Sequence, residues 1–171
     1  MNRYREAVEY YASKGENYVL FNSGDEHASI IFENIFRTAK EEINIHAYDL
    51  CNDLTSKDGY LNSLESFLKE DNTKLNILLS TYNYECAKNS KLFILLRRFH
   101  DKVNLYHLNG AEIKVKEEVV HFCIADNKMY RYEFDVTNRK ARCNFNEPEM
   151  SERLKSLFDM KIKSSTRVEL N

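Results

Sequence analysis

The chain has 171 residues, 43% hydrophobic and 30% charged, with a formal net charge of −2. That is the length of one ordinary domain, able to bury a core without staples, and the near-neutral charge excludes a global attraction to nucleic acid or anionic membrane. One proline and four glycines argue against long disordered linkers, the first fifteen residues lack the apolar core of a signal peptide, and no run approaches the roughly 20 apolar residues of a membrane span; a soluble, cytoplasmic protein is expected.

Residues 2–14 place Tyr4, Val8 and Tyr11 at near-helical spacing, predicting a short amphipathic helix ended by Gly15. Tyr18–Phe21 reads as a first strand, and Asn22-Ser-Gly-Asp25 as a turn whose Ser23 or Asp25 caps the next helix. That helix, about 26–40, buries Ile30, Ile31, Ile35 and Phe36. Ile43–Tyr48 is a second strand, 60–70 a helix burying Leu61, Leu64, Phe67 and Leu68, and 74–80 a third strand. TYNYECAKNSK is a long connection to the helix LFILLRRFHDK, and 103–108 a fourth strand.

Strand and helix thus alternate three times, which implies right-handed βαβ units in a mostly parallel sheet covered on both faces. After Gly110 the pattern changes to three successive strands near 117–126, 129–135 and 139–146, so the sheet gains antiparallel members. Asn146 and Pro148 start a last helix lined by Leu154, Leu157 and Phe158, and the end of the chain is polar and expected to be loosely held. The organisation is an N-terminal helix (1–16), one α/β domain with a mixed, mostly parallel sheet (17–165) and a polar tail (166–171). Cys51, Cys86, Cys123 and Cys143 show no Cys-x-x-Cys pair, so reduced, buried thiols are expected and neither a metal nor any other cofactor is implied.

The stretch EEVVHFCIADNKMYRYEFD, Glu117 to Asp135, carries the chemistry. On its first strand Val120, Phe122 and Ile124 share one bulky face, while Val119, His121, Cys123 and Ala125 share a smaller one that carries a histidine, as the floor of a site would. The stretch resembles the phospholipase D superfamily, whose signature is His-x-Lys-x-x-x-x-Asp. Counting back from Asp126 puts His121 in the lysine slot and Val119 in the histidine slot, so only the aspartate matches. The family attacks phosphorus with that histidine, and valine has no lone pair to attack with. Where the family carries a Gly/Ser-Asn phosphate contact, this chain has Arg131-Tyr132-Glu133-Phe134-Asp135.

The resemblance spans roughly 17–165 and implies a single half of a two-half site. From it follow a homodimer burying the Val119/His121 face, the loss of ordinary catalysis, and a binding, sensing or regulatory subunit, in a setting such as bacterial DNA restriction or phage defence. A protein or nucleic-acid partner is then expected. The alternative is an active phosphodiesterase or nuclease using His121 as the substitute nucleophile at a dimer interface; Asp126 is the other catalytic candidate, against a plain turn residue.

His121 is the leading site candidate, against a buried neutral imidazole bonded to Glu133 or Tyr132. Arg131, Glu133 and Asp135 alternate on one face of the next strand, so Arg131 presents a guanidinium to a ligand anion or pairs with a carboxylate of that face. His46, Tyr48 and Asp49 sit at the carboxyl end of the second strand, where open α/β sheets bind ligands. Lys88, Lys91, Arg97, Arg98 and Lys102 form a basic stripe that either meets nucleic acid or is the wet face of a helix.

Overall fold

The computed structural model describes residues 2–170. Helix α1 (Asn2–Lys14) buries Val8 and Ala12 and stops at Gly15, whose φ of 60° suits a residue without a Cβ. It lies on α2 (Gly24–Thr38), where Arg5 reaches Glu33 at 2.8 Å. Strand β1 (Leu20–Asn22) does not start a βαβ unit; it pairs antiparallel at an outer edge of the sheet, Leu20 opposite Cys143. The alternating core follows as β2 (Glu42–Ala47), α3 (Asp58–Lys69), β3 (Lys74–Leu79), α4 (Tyr84–Asn89), α5 (Lys91–Arg98) and β4 (Val103–His107).

Short strands β5 (Lys114–Val115) and β6 (Glu118–Val119) form a separate hairpin, and then come β7 (His121–Ala125), β8 (Met129–Asp135), β9 (Lys140–Asn144), α6 (Pro148–Ile162) and β10 (Thr166–Val168). The eight-stranded sheet runs β1-β9-β8-β7-β2-β3-β4-β10. Its mixed character is as expected. Only the β2–β3 and β3–β4 pairings are parallel and the other five are antiparallel, so the expected parallel majority does not hold: the first and last strands both close edges antiparallel, and β7, β8 and β9 form a meander.

Helices cover both faces. Phe122, Ile124 and Tyr130 pack with Leu154 and Phe158 of α6, while Cys123 and Ala125 face the larger core with Ile31, Phe36, Tyr60 and Leu64. The three-residue turn between β7 and β8, Asp126 to Lys128, has Asp126 and Asn127 both at positive φ, 50° and 52°, a conformation that asparagine and aspartate tolerate.

Four local expectations are corrected. The strand expected over 117–126 is interrupted: Lys116 and Glu117 turn the β5–β6 hairpin at φ of 51° and 69°, and the chain joins the main ladder only at His121. Residues in the expected long connection form α4, whose N-terminus is capped by the Asn83 side chain accepting from the Cys86 N–H at 3.1 Å. The polar tail is not loose, since β10 pairs with β4 along the other edge. The cysteines are not all reduced: Cys51 and Cys86 form a disulfide between the loop after β2 and α4, whereas Cys123 and Cys143 are free thiols that burial pushes up to about 12. Two caps also differ, as Ser23 precedes α2 without a side-chain bond and Glu147, not Asn146, stands before α6.

Candidate functional site

A cavity of about 300 Å³ opens at the carboxyl end of β2, between the Cys123 face of the sheet and the α2–α3 layer. His121, Arg131 and Glu133 form its floor, Phe32, Leu50, Leu54 and Tyr60 its apolar walls, and Tyr48, Asp49, Asn52 and Arg139 its mouth. The antiparallel register sets the floor: His121 stands opposite Glu133 and Cys123 opposite Arg131, so all three polar side chains share one face.

Glu133 joins the other two. It is 2% exposed; its Oε1 accepts from Arg131 Nη2 at 2.9 Å and its Oε2 lies 3.2 Å from His121 Nδ1. Burial alone would push this carboxyl up, yet the bonds and charges of His121 and Arg131 hold it below the usual carboxylate range. Arg131, 3% exposed, stacks its guanidinium 5.3 Å from the Phe32 ring centroid and leaves its Nε without a protein partner.

His46 also lines the cavity but belongs to the opposite face, in register with Phe122. Its ring comes within 5.8 Å of the His121 ring where the two strands end. Nδ1 lies 2.9 Å from the Leu78 carbonyl, which can only accept, so Nδ1 carries the hydrogen and Nε2 is left bare and unpartnered. Burial, then the charges of His121 and Lys161, pull this imidazole down to about 4.

The loop at the mouth is held by its own side chains. The Asp49 carboxylate accepts the Cys51 N–H at 2.8 Å, Thr55 Oγ1 donates to the Leu50 carbonyl at 2.8 Å, and the disulfide ties Cys51 to α4. Arg139, from the β8–β9 turn, pairs with Asp25 at the start of α2.

The structure therefore brings His46, Tyr48, Asp49, His121, Arg131 and Glu133 to one cavity. Asp126 lies elsewhere, at the β7–β8 turn, where its carboxylate accepts the N–H groups of Lys40, Glu41 and Glu42 at 2.7–3.0 Å. Val119 pairs with Lys114 in the small hairpin and is not part of the cavity lining. The basic stripe is dispersed: Arg97 bonds the Ala87 and Lys88 carbonyls, Arg98 bonds Glu65, and Lys102 bonds the Leu68 and Glu70 carbonyls. Sequence reasoning did not single out Phe32, Asn52, Tyr60 or Arg139. Asn52 lay within reach of the strand-end rule that marked Asp49, whereas Arg139 comes from a turn that carries no such signal. Among the described residues no cluster of His, Cys, Asp or Glu suits a metal, and no helix is long and apolar enough to cross a membrane.

The mixed sheet with helices on both faces is similar in fold to solved structures of the phospholipase D family. No family model and no curated protein matches the chain. Solved structures do. Nuc, a phospholipase D family member from Salmonella typhimurium, is similar with a TM-score of 0.61 at 13% identity over 90% of this chain and 99% of its own. NucT from Helicobacter pylori is similar at 0.60 and 16% identity, over 90% of this chain and 100% of its own. TrmBL2, an archaeal chromatin protein described as having a novel mode of DNA binding, is similar at 0.64 and 15% identity, over 98% of this chain but 62% of its own.

Proposed function

We propose that this domain is a non-hydrolytic, ligand-binding version of the phospholipase D-like fold, serving as a sensing or regulatory module. The observation that carries the reading is the occupancy of the signature slots: a valine in the nucleophile slot, standing outside the cavity, and a histidine in the lysine slot, already bonded to a buried carboxylate that also takes Arg131. A phosphodiester arriving there meets one guanidinium that Glu133 neutralises. The mainly apolar cavity of about 300 Å³ also suits a small molecule better than a polymer strand.

One observation favours a second reading. Glu133 orients His121 through Nδ1, as an acid–base or nucleophilic imidazole needs to be oriented, which supports a phosphodiesterase built on His121. Incubating the protein with bis(p-nitrophenyl) phosphate and with single- and double-stranded DNA decides between them. No turnover is expected, and turnover that His121→Ala abolishes would replace the first reading with the second.

The homodimer belongs to the same proposal but is not needed to complete the cavity, which one chain lines by itself. Sedimentation at micromolar concentration tests it. A DNA or protein partner, in a restriction or phage-defence system, rests on the resemblance and on the DNA binding attributed to TrmBL2. A cytoplasmic setting is opposed by the Cys51–Cys86 disulfide, since such bonds persist mainly in oxidising compartments.

A further inference from the structure

A second cavity, of about 620 Å³, lies on the other face of the sheet, between α6, the β5–β6 hairpin and strands β8 and β9. That volume falls inside the ordinary range for small-molecule sites, about 300–1,000 Å³. Met150, Leu154 and Leu157 form a stripe at helical spacing along α6, and Tyr132, Phe134 and Val115 complete an apolar lining. Phe134 and Val115 are 39% and 36% exposed, so this lining is open to solvent.

Arg142 stands in the lining with an unmet charge. Its register opposite Tyr132 sets it on the α6 face, its guanidinium carbon is 5.7 Å from the Tyr132 ring centroid, and its Nη2 meets the Met150 sulfur at 3.7 Å. Tyr132 and Met150 both line the cavity, so these contacts fix the guanidinium at its wall. Among the described residues it has no oxygen acceptor: the sulfur is a weak one, and Nε is buried without a partner. The other arginines that are at least partly buried differ. Arg5, Arg131 and Arg139 pair with Glu33, Glu133 and Asp25, and Arg97 donates to the Ala87 and Lys88 carbonyls. Withdrawing a cation from water without an acceptor is costly, so this wall points to a missing anion.

The charges around Arg142 set the charge of that anion. Lys116 and Arg142 are faced by one acid of the lining, Glu118, because Arg153 is engaged by Glu149 at 2.6 Å. One positive charge is left over. We infer that this cavity is a second binding site, distinct from the His121 cavity, for an amphiphilic monocarboxylate, its carboxylate accepting from the Arg142 guanidinium and its alkyl chain lying on the Met150–Leu157 stripe. A guanidinium fork matches a carboxylate in shape, and the apolar stripe supplies the remaining affinity through buried methylenes. A doubly charged phosphate head exceeds the positive charge available and meets Glu118.

Calorimetric titration of the full chain at pH 8 with octanoate, decanoate, octanol and octyl phosphate, each below its micellar concentration, tests this. Octanoate is expected to bind at least about tenfold more tightly than octanol, for its charge-assisted bonds, and more tightly than octyl phosphate. Decanoate is expected to bind about tenfold more tightly than octanoate, for two further buried methylenes. Octanol and octanoate are compared on one protein, so that result does not depend on any variant folding. Arg142→Met, which keeps an apolar side chain against Tyr132, is expected to remove the preference for octanoate over octanol, and Arg142→Lys to keep part of it. Equal binding of octanol and octanoate, no binding of decanoate at millimolar concentration, tighter binding of octyl phosphate, or a preference that survives Arg142→Met each overturns the inference. So does a dimer in sedimentation that a folded Leu157→Asp variant no longer forms, since the groove then belongs to a second copy of the chain.

Discussion

Acidification tests the placement of His46 most directly. The side chain is 1% exposed, with an imidazole that burial draws from 6.5 down to about 4. Since the unfolded chain takes up this proton at a higher pH than the folded one, stability must fall as pH drops through the interval and level off below about 4; above 6.5 the residue contributes no pH dependence. At 1.36 kcal/mol per pH unit the whole interval is worth about 3 kcal/mol, and the part between pH 6.5 and 5 about 2 kcal/mol. Against a typical total of about 5–15 kcal/mol, that is readable as a drop in the urea midpoint. His46→Gln keeps a donor for the Leu78 carbonyl and cannot titrate, so the difference between the two proteins isolates this ring from the other histidines. If wild type and His46→Gln lose the same stability between pH 6.5 and 5, the ring is not buried neutral and the reasoning fails.

Glu133→Ala strands the buried Arg131 and is expected to lower stability by about 3–5 kcal/mol in urea unfolding, whereas the double change Arg131→Met/Glu133→Met is expected to cost far less; because the folded carboxyl sits below 4.5, the Glu133 contribution is present above that pH and is lost as the pH falls below it. Asp126→Ala removes the acceptor of three backbone N–H groups and should cost about 2–3 kcal/mol while leaving ligand affinity unchanged, measured by unfolding and titration on the same samples. Gly59→Ala gains helix propensity of about 1 kcal/mol, but its Cβ would stand 2.8 Å from the Glu33 carboxyl carbon, which Arg5 and Ser29 hold in place; a net fall in melting temperature is expected. Reducing the Cys51–Cys86 bond, which closes a separation of 35 residues, should destabilise by up to about 4 kcal/mol on the loop-entropy model, read as a shift of the midpoint with reductant that the Cys51→Ser/Cys86→Ser variant no longer shows.

The parts of the fold that were legible are those where side-chain period and burial coincide. Ile31, Ile35 and Phe36 follow the helical period and lie in the core, and the alternation of Val120, Phe122 and Ile124 against His121, Cys123 and Ala125 separates the two faces of β7 as it stands in the sheet. What escaped lacks such a period. β10 is three residues of a polar edge, and β5–β6 turns at Lys116-Glu117 without the asparagine or glycine that usually announces positive φ. The Cys51–Cys86 pairing depends on the distance between two loop ends, which spacing along the chain does not encode. For the site, the polar residues were visible because they interrupt apolar strands. Phe32 and Tyr60 were not, because a helix residue that walls a cavity and one that fills a core obey the same pattern.

Position 119 sits in a hairpin that leaves the main sheet before His121, and Val120 donates its N–H to the Ile113 carbonyl rather than to a neighbouring long strand. A side chain at 119 is displaced from the cavity by the course of the backbone, whatever its chemistry. His121 is the first residue on β7 that can reach the floor, and there the register gives it Glu133 as its partner. Asp126 has a framework role instead: its carboxylate ties the β7–β8 turn to the segment between α2 and β2. The residue that holds this turn and the residues that line the cavity are thus different, and a cavity between the same strands can change its ligand without any change in the fold around it.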